Sequence, residues 1–365
     1  MSIALYQTIY NELKRDIEIG RYDDGQRLPT EKELTERYYV SRITAKNALN
    51  ALSQEGLIVR IPGKGSFVRG KYPAVAEVGM PRDFHRVLFL ASSFSAAYGM
   101  ELIRGVVEQG EKEGIDITVK KNFNSQNMES RMLEEARAAR YDGVILQPTN
   151  GEFYSRTILE MVSCSYPIVM VDRYLNGMDV PFVGIDNEKV TFETVTRLIH
   201  EGHSNILIPI TLGGTSYTQQ LRVSGYMKAH MAAGIPVREE LILKGLDVDR
   251  INAGLDGSDK VSFEPLIETI EKALRSHPEV TAVFSTEYRL SQAVLEASRR
   301  TGRLDKLRII GFDAISDLLG SRVSHIRQPQ YEIGVKAVEL MHRLIHGQPI
   351  EKREWLLEPE FICME

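Results

Sequence analysis

From Arg86 onward, short apolar runs alternate with amphipathic helical stretches, and few folds tolerate that rhythm. "RVLFLAS" precedes a helical stretch from about Tyr98 to Glu113, "IDITVKK" precedes "MESRMLEEARAAR", "DGVILQP" precedes "EFYSRTILEMV", and "YPIVMVD" and "FVGID" follow. A second series starts at "HSNILIPI" and runs through "QQLRVSGYMKAHMAAG", "PLIETIEKALRSH", "TAVFST", "YRLSQAVLEASRR" and "LRIIGFD". Strands separated by helices imply right-handed βαβ units and parallel sheets. Two such series over 280 residues predict two doubly wound α/β subdomains. Such sheets bind ligands beyond the carboxyl ends of their strands, so a cleft between the subdomains is the expected site.

The first 70 residues follow a different pattern. Leu5, Ile9, Leu13 and Ile17 recur at helical spacing and Gly20 is a natural stop. After the turn "RYDDGQRLP", Thr30 with Glu33 forms a capping box that starts a second helix, running to about Tyr38. Ser41 caps a third, "RITAKNALNALSQE", with Ala45, Ala48, Leu49 and Leu52 on one face and a stop at Gly56. Two capped helices joined by a tight turn, with a supporting helix ahead of them, are the helix-turn-helix pattern. "LIVRI" and "SFV" flanking "PGKG" add a short hairpin, a wing.

Charge separates the two regions. The whole chain carries a formal net charge of -5, yet residues 1–70 come to +2 and the remainder to -7. Six cations and one acid fall between Arg37 and Arg69. With the apolar stripe inward, Arg42, Ile43 and Lys46 project from the first turns of the third helix, where a recognition helix meets base edges. An Arg there forks onto guanine and a Lys neutralises a phosphate. Lys64 at the hairpin tip is placed for a neighbouring groove or the backbone.

At the predicted strand ends stand Ser92, Ser93 and Phe94, then Gln147, Pro148 and Thr149, then Asp172 and Arg173. In the second series Arg222 opens "RVSGY", Thr286 and Glu287 end "TAVFST", Asp313 ends "LRIIGFD", and Gln328 follows "SHIR". Amide, carboxylate, hydroxyl and guanidinium groups beside an aromatic face suit a polyhydroxylated ligand, because each hydroxyl both donates and accepts.

Residues 5–68 resemble the winged helix-turn-helix domain of GntR-type regulators through "LPTEKEL", "VSRITAKNAL", "LSQEGLI" and "GKGSFV". The resemblance implies DNA contact by Lys32, by Ser41, Arg42, Thr44 and Lys46 on the recognition helix, and by Gly63 and Lys64 on the wing. Ala45 stands where that family usually has a Val or Ile-like residue, a packing position. Residues 86–363 resemble the effector domain of LacI-type repressors and the periplasmic sugar-binding proteins, through "ARYDGVILQPTN", "PIVMVDR", "VGIDNEKVTFETVTRLIHEGHSNILI", "LRVSGY", "TAVFST", "IIGFD", "IRQP" and "LLEPEFI". By that resemblance Arg222, Asp313 and Gln328 contact a sugar, and Asp172 and Arg173 are used likewise. Ser93, Phe94, Gln147, Thr286 and Glu287 complete the expected effector set. Thr286-Glu287 replaces the family's usual Asn-Asp, so the effector's identity does not transfer.

The expected organisation is therefore a DNA-binding domain over 1–70, a linker over 71–85 and a two-subdomain periplasmic-binding-protein-like domain over 86–365. The linker holds two prolines and no convincing hinge helix. The expected function is a sugar-responsive transcriptional regulator, a repressor or alternatively an activator, that binds double-stranded operator DNA as a homodimer, since one helix-turn-helix reads only a half-site. No cofactor and no metal are expected. "GKGS" is no phosphate loop, because Gly65 rather than Ser or Thr follows Lys64 and no Gly stands at the required spacing before Gly63. No G-x-S-x-G elbow, H-E-x-x-H helix or clustered His/Cys spacing marks an enzyme, and GntR-type heads fused to aminotransferase-like bodies are longer. The N-terminus reads as neither signal peptide nor membrane span, and Cys164 and Cys363 as the only cysteines point to a reducing cytoplasm.

Overall fold

The computed structural model describes residues 5–23, 25–61, 65–69, 84–92, 94, 98–150, 155–175, 177–211, 216–248, 263–313 and 323–364. Gly63, Lys64, Ser93 and residues 71–83 of the expected linker lie outside them. The chain divides into two compact units, Met1–Arg82 with Arg156–Tyr166, and Asp83–Ser155 with Pro167–Glu365.

In the first unit, α1 (Leu5–Glu18), α2 (Glu31–Tyr38) and α3 (Arg42–Gln54) precede a hairpin of β1 (Ile58–Ile61) and β2 (Gly65–Val68). The winged helix-turn-helix is present as expected. Thr30 and Glu33 form both halves of the capping box, and Ser41 Oγ accepts the Thr44 N–H at 3.2 Å. One apolar core joins the elements: Ile9 and Leu13 of α1, Leu34 of α2, Ala45, Ala48, Leu49 and Leu52 of α3, and Ile58 and Val68 of the wing. Small Ala side chains at two of these α3 positions, Ala45 and Ala48, let the helices approach closely; α6 (Arg156–Ser163) groups with this unit.

The second unit holds two sheets of the same design. The first runs β3 (His85–Ala91), β4 (Ile115–Lys121), β5 (Gly143–Leu146), β6 (Ile168–Val171), β7 (Phe182–Gly184) and β13 (Glu354–Leu356) in the spatial order β13-β7-β6-β5-β3-β4, all parallel. The second contains β8 (Ile206–Thr211), β9 (Ile242–Leu246), β10 (Ala282–Ser285), β11 (Arg308–Phe312), β12 (Ser324–Arg327) and β14 (Glu360–Ile362) in the order β14-β12-β11-β10-β8-β9. Only β14 is antiparallel. β3 starts at His85, the last residue of the stretch read as linker.

Fully apolar strands such as "GVIL" and "IVMV" are buried on both faces by helices, which is what a parallel sheet demands. α4 (Met100–Lys112), α5 (Gln126–Ala138) and α11 (Gln330–Ile345) are the helices of the first sheet. α7 (Asn187–His200), α8 (Tyr217–Ala232), α9 (Glu264–Ser276) and α10 (Tyr288–Arg300) are those of the second. Among the described residues the chain passes between the sheets three times: after β7, after β12 and between β13 and β14. In each sheet the first strand lies between the second and third, so strand order reverses at β3/β5 and β8/β10. Those reversal points open crevices at the strand ends.

Candidate functional site

At the first reversal point, Gln147 Oε1 accepts the Ser92 N–H at 3.1 Å and its Nε2 donates to Asp172 Oδ2 at 2.8 Å. Asp172 follows β6 with a left-handed φ of 63°, unusual for a non-glycine residue. Arg173 beside it donates through Nη1 to Ser92 Oγ at 3.0 Å, Pro148 O at 3.1 Å and Asn124 Oδ1 at 3.4 Å, with Nε 3.7 Å from Asp172 Oδ2. Gln147, Asp172 and Arg173 are thus brought together. Phe94 packs at the margin of the first sheet's core with Lys121 Nζ 5.5 Å from its ring centroid.

The second sheet repeats the device. Asp313 follows β11 with φ 48° and accepts the Gln328 Nε2 at 2.7 Å through Oδ2. Arg222, on the second turn of α8, is buried; its Nε donates to Asn187 Oδ1 at 2.8 Å, its Nη1 to Thr286 O, and its face lies 3.5 Å from the Phe312 ring centroid. Thr286 contributes that carbonyl, while its hydroxyl donates to Pro209 O at 2.9 Å and its side chain is buried in the fold. Glu287 is half-buried at the start of α10, and its charge acts on Arg222.

Electrostatics tie the halves together. Burial pushes the Asp313 carboxyl up to about 7, opposed by Arg222 and Gln328 and reinforced by Asp172. Tyr98, between β3 and α4, is held well above the usual phenol range by burial and by both carboxylates, Asp172 and Asp313. So one phenol senses an acid from each sheet.

Sequence reasoning missed several participants. Glu129 of α5 is buried and accepts the Thr149 N–H at 2.8 Å, with Asn122 Nδ2 and Thr149 Oγ1 each at 3.4 Å; burial raises it to about 7. A signal existed: Glu129 shares the inward stripe of Leu133 and Ala136. Asn187, Tyr98 and Gln330 carried no comparable cue.

In the head, Ile43 is 71% exposed and Arg42, Lys46 and Lys32 are exposed beside it on the helix-turn-helix. Ser41, the cap of α3, also shares a 2.8 Å hydroxyl contact with Thr44, which places both side chains at the same helix start. The missed residue here is Glu31: it accepts Arg42 Nε at 3.0 Å and binds Arg60, and these two cations, Arg42 first, hold its carboxyl below the usual range. Tyr39, 95% exposed in the turn with φ 52°, also went unread.

The sequence matches the bacterial regulatory proteins of the gntR family over residues 5–68, and the periplasmic binding proteins and sugar-binding domain of the LacI family over residues 85–356. The chain belongs to the LacI-type sugar-binding family, with a GntR-type DNA-binding head. It is 26% identical over 374 aligned positions to an arabinose metabolism transcriptional repressor of Geobacillus stearothermophilus, covering 99% of this chain and 97% of that one. A second arabinose metabolism transcriptional repressor, from Halalkalibacterium halodurans, is 25% identical, with 92% and 88% covered. Transcription regulator CcpA of Lactococcus lactis shares the fold with a TM-score of 0.65 at 18% identity, over 76% of this chain and 97% of that chain. This LacI-type body under a GntR-type head makes the chain a DNA-binding transcriptional regulator. No helix among the described residues is long and apolar enough to cross a membrane, and none of their His, Cys, Asp and Glu side chains cluster to hold a metal.

Proposed function

We propose that this regulator is a cytoplasmic homodimeric repressor, not an enzyme, which releases operator DNA when a sugar or sugar-derived effector binds the cleft. The observation that carries the effector reading is the repeated strand-end Asp held by a Gln amide, Gln147 to Asp172 and Gln328 to Asp313, at the two reversal points. Carboxylates fixed by amides present aimed acceptors, and Arg222 and Arg173 supply donors, the combination that reads hydroxyl groups. Ser93, Phe94, Thr286 and Glu287 belong to the proposed contact set around them. On the DNA side, Lys32, Ser41, Arg42, Ile43, Thr44 and Lys46 are proposed to meet the major groove, with Gly63 and Lys64 of the wing beside it.

A thermal-shift panel of L-arabinose, D-xylose, D-ribose, D-glucose, D-galactose and their phosphates identifies the effector, since a ligand at ~100 times its Kd stabilises by roughly 2.7 kcal/mol. The strongest binder is then titrated by calorimetry with and without saturating operator, the operator having been selected from a random-sequence DNA pool. Linkage makes the coupling reciprocal: a sugar that weakens operator binding about tenfold is itself bound about tenfold more weakly on operator, a coupling of roughly 1.4 kcal/mol. Equal affinities would detach the body from control of the head. Tighter binding on operator would make the sugar a corepressor.

A further inference from the structure

Gln330 is the first residue of α11, immediately after the second crossover between the sheets, and it is buried. Its Oε1 accepts the Gly99 N–H at 2.8 Å, and its Nε2 faces Asp313 Oδ1 at 3.5 Å. Gly99 caps α4 with φ 99° and has no side chain to satisfy the helix's first N–H groups, so Gln330 supplies an acceptor there from another helix.

α4 and α11 touch backbone to backbone. A Cβ at Gly105 would lie 2.2 Å from Tyr331 O, and one at Gly334 would lie 2.5 Å from Leu102 O and 2.8 Å from Val106 N. Helices in that contact have no side-chain layer to slide on and move as one body. Gln330 is anchored to that body, yet its donor points at a carboxylate carried by a strand of the other sheet. Gln328, by contrast, already holds Asp313 Oδ2 at 2.7 Å. One Asp313 oxygen is therefore gripped and the other lies at the limit of a hydrogen bond.

We propose that Gln330 is a positioning residue for the effector: it ties Asp313 to the α4–α11 body, and its contact with the second carboxylate oxygen tightens when ligand closes the cleft. This rests on the reading of the cleft as the effector site. The charged and titratable groups around Asp313 are Arg222, Asp172 and Tyr98.

The test uses the full-length protein and the sugar from the panel above that gives the largest thermal shift, with affinities measured by calorimetry at about pH 6 and about pH 8, either side of the Asp313 titration. Gln330→Met keeps the shape and removes the amide; it should weaken sugar binding roughly tenfold while leaving sugar-free operator binding unchanged. Gln330→Glu keeps the acceptor for Gly99 but sets a second carboxylate against Asp313. It should weaken binding more at the higher pH than at the lower, where the pair shares a proton. A purely structural cap does not produce that pH difference, so this variant carries the test even if Gln330→Met fails to fold. Affinities within twofold of wild type for both Gln330 variants, with Asp313→Asn losing the sugar, would overturn the proposal and leave the cleft reading intact. Retained affinity in Asp313→Asn as well would overturn the cleft reading itself.

Discussion

The head and the body handle charge in opposite ways. On the helix-turn-helix, Lys32, Arg42 and Lys46 stand in solvent, and Arg42 is restrained by an ion pair to Glu31. At the cleft, Arg222 and Asp313 are buried, and each is fixed by several hydrogen bonds. On the proposed function, the difference follows from what each surface is to meet. DNA brings a dense line of phosphates that rewards mobile, hydrated cations through counterion release. A small polar ligand brings no such field and requires donors and acceptors already aimed, because ordering them at the moment of binding would consume the little affinity it has.

That contrast breaks if the buried charges prove dispensable. Arg222→Ala should cost about 3 to 5 kcal/mol of folding stability at about pH 8, because it strands Asp313 and leaves Asn187 and Thr286 O without their donor. At lower pH the loss should shrink. Arg222 opposes the rise of Asp313, so without it the carboxyl protonates more readily and the stranded charge vanishes. Denaturant unfolding at the two pH values checks this; a pH-independent loss would mean that Arg222 acts through packing on Phe312 rather than through charge.

Glu129 sharpens the same point from the acid side. Its folded value of about 7 lies above its ordinary 4.5, so the folded state holds a proton that the unfolded state has lost between those limits. Its contribution is therefore favourable at low pH, falls as pH rises from about 4.5 to about 7, and is flat beyond. Glu129→Gln keeps the shape and cannot titrate. The stability difference between wild type and variant should drop by roughly 1 to 3 kcal/mol across that window. Thermal unfolding against pH measures it, and parallel curves would show that Glu129 is not shifted.

What was legible in the sequence divides along the same line. The helices of the head were readable because capping boxes and turn residues are local: Thr30, Glu33 and Ser41 act on backbone within three positions of themselves. The sheets were readable because apolar runs and helices alternate, and Asp172, Asp313 and Gln328 because they fall at strand ends within matched motifs; Arg222, also within a matched motif, stands instead on the second turn of α8. Glu31, Asn187 and Gln330 were not, since each works on a partner far along the chain: Glu31 on Arg60, Asn187 on Arg222, Gln330 on Gly99. Glu129 sits between, an acid in an apolar stripe whose meaning depended on Thr149 arriving from the next strand. β13 and β14 escaped because the tail "EWLLEPEFI" donates one short strand to each sheet, and strands of three residues carry no periodicity.

On the exposed face of the head, Arg42→Ala should weaken operator binding by roughly 1 to 3 kcal/mol and relax preference at one base position. The ion pair with Glu31 orients the guanidinium from α2, so Glu31→Gln should lose part of the same specificity without removing any cation. Binding to a library of operators with single-base changes separates the two outcomes. Unchanged selectivity in Arg42→Ala would place base reading elsewhere on the head.

The smallest effect expected is that of Lys46→Ala. Lys46 lies exposed on α3, one turn beyond Arg42, and its proposed role is to neutralise phosphate instead of reading a base. Its removal should cost under about 1 kcal/mol near physiological salt and should do so equally for specific and random DNA. The diagnostic is the salt dependence: each lost phosphate contact lowers the slope of log affinity against log salt by about 0.9. Lys64→Ala, at the residue proposed to act with the recognition helix on DNA, should behave alike, and the double variant should change the slope by roughly twice as much if the two lysines meet separate phosphates. A slope that stays at the wild-type value, with affinity falling only on the specific sequence, would move Lys46 from the backbone to a base edge and make the recognition helix carry two base-reading cations rather than one.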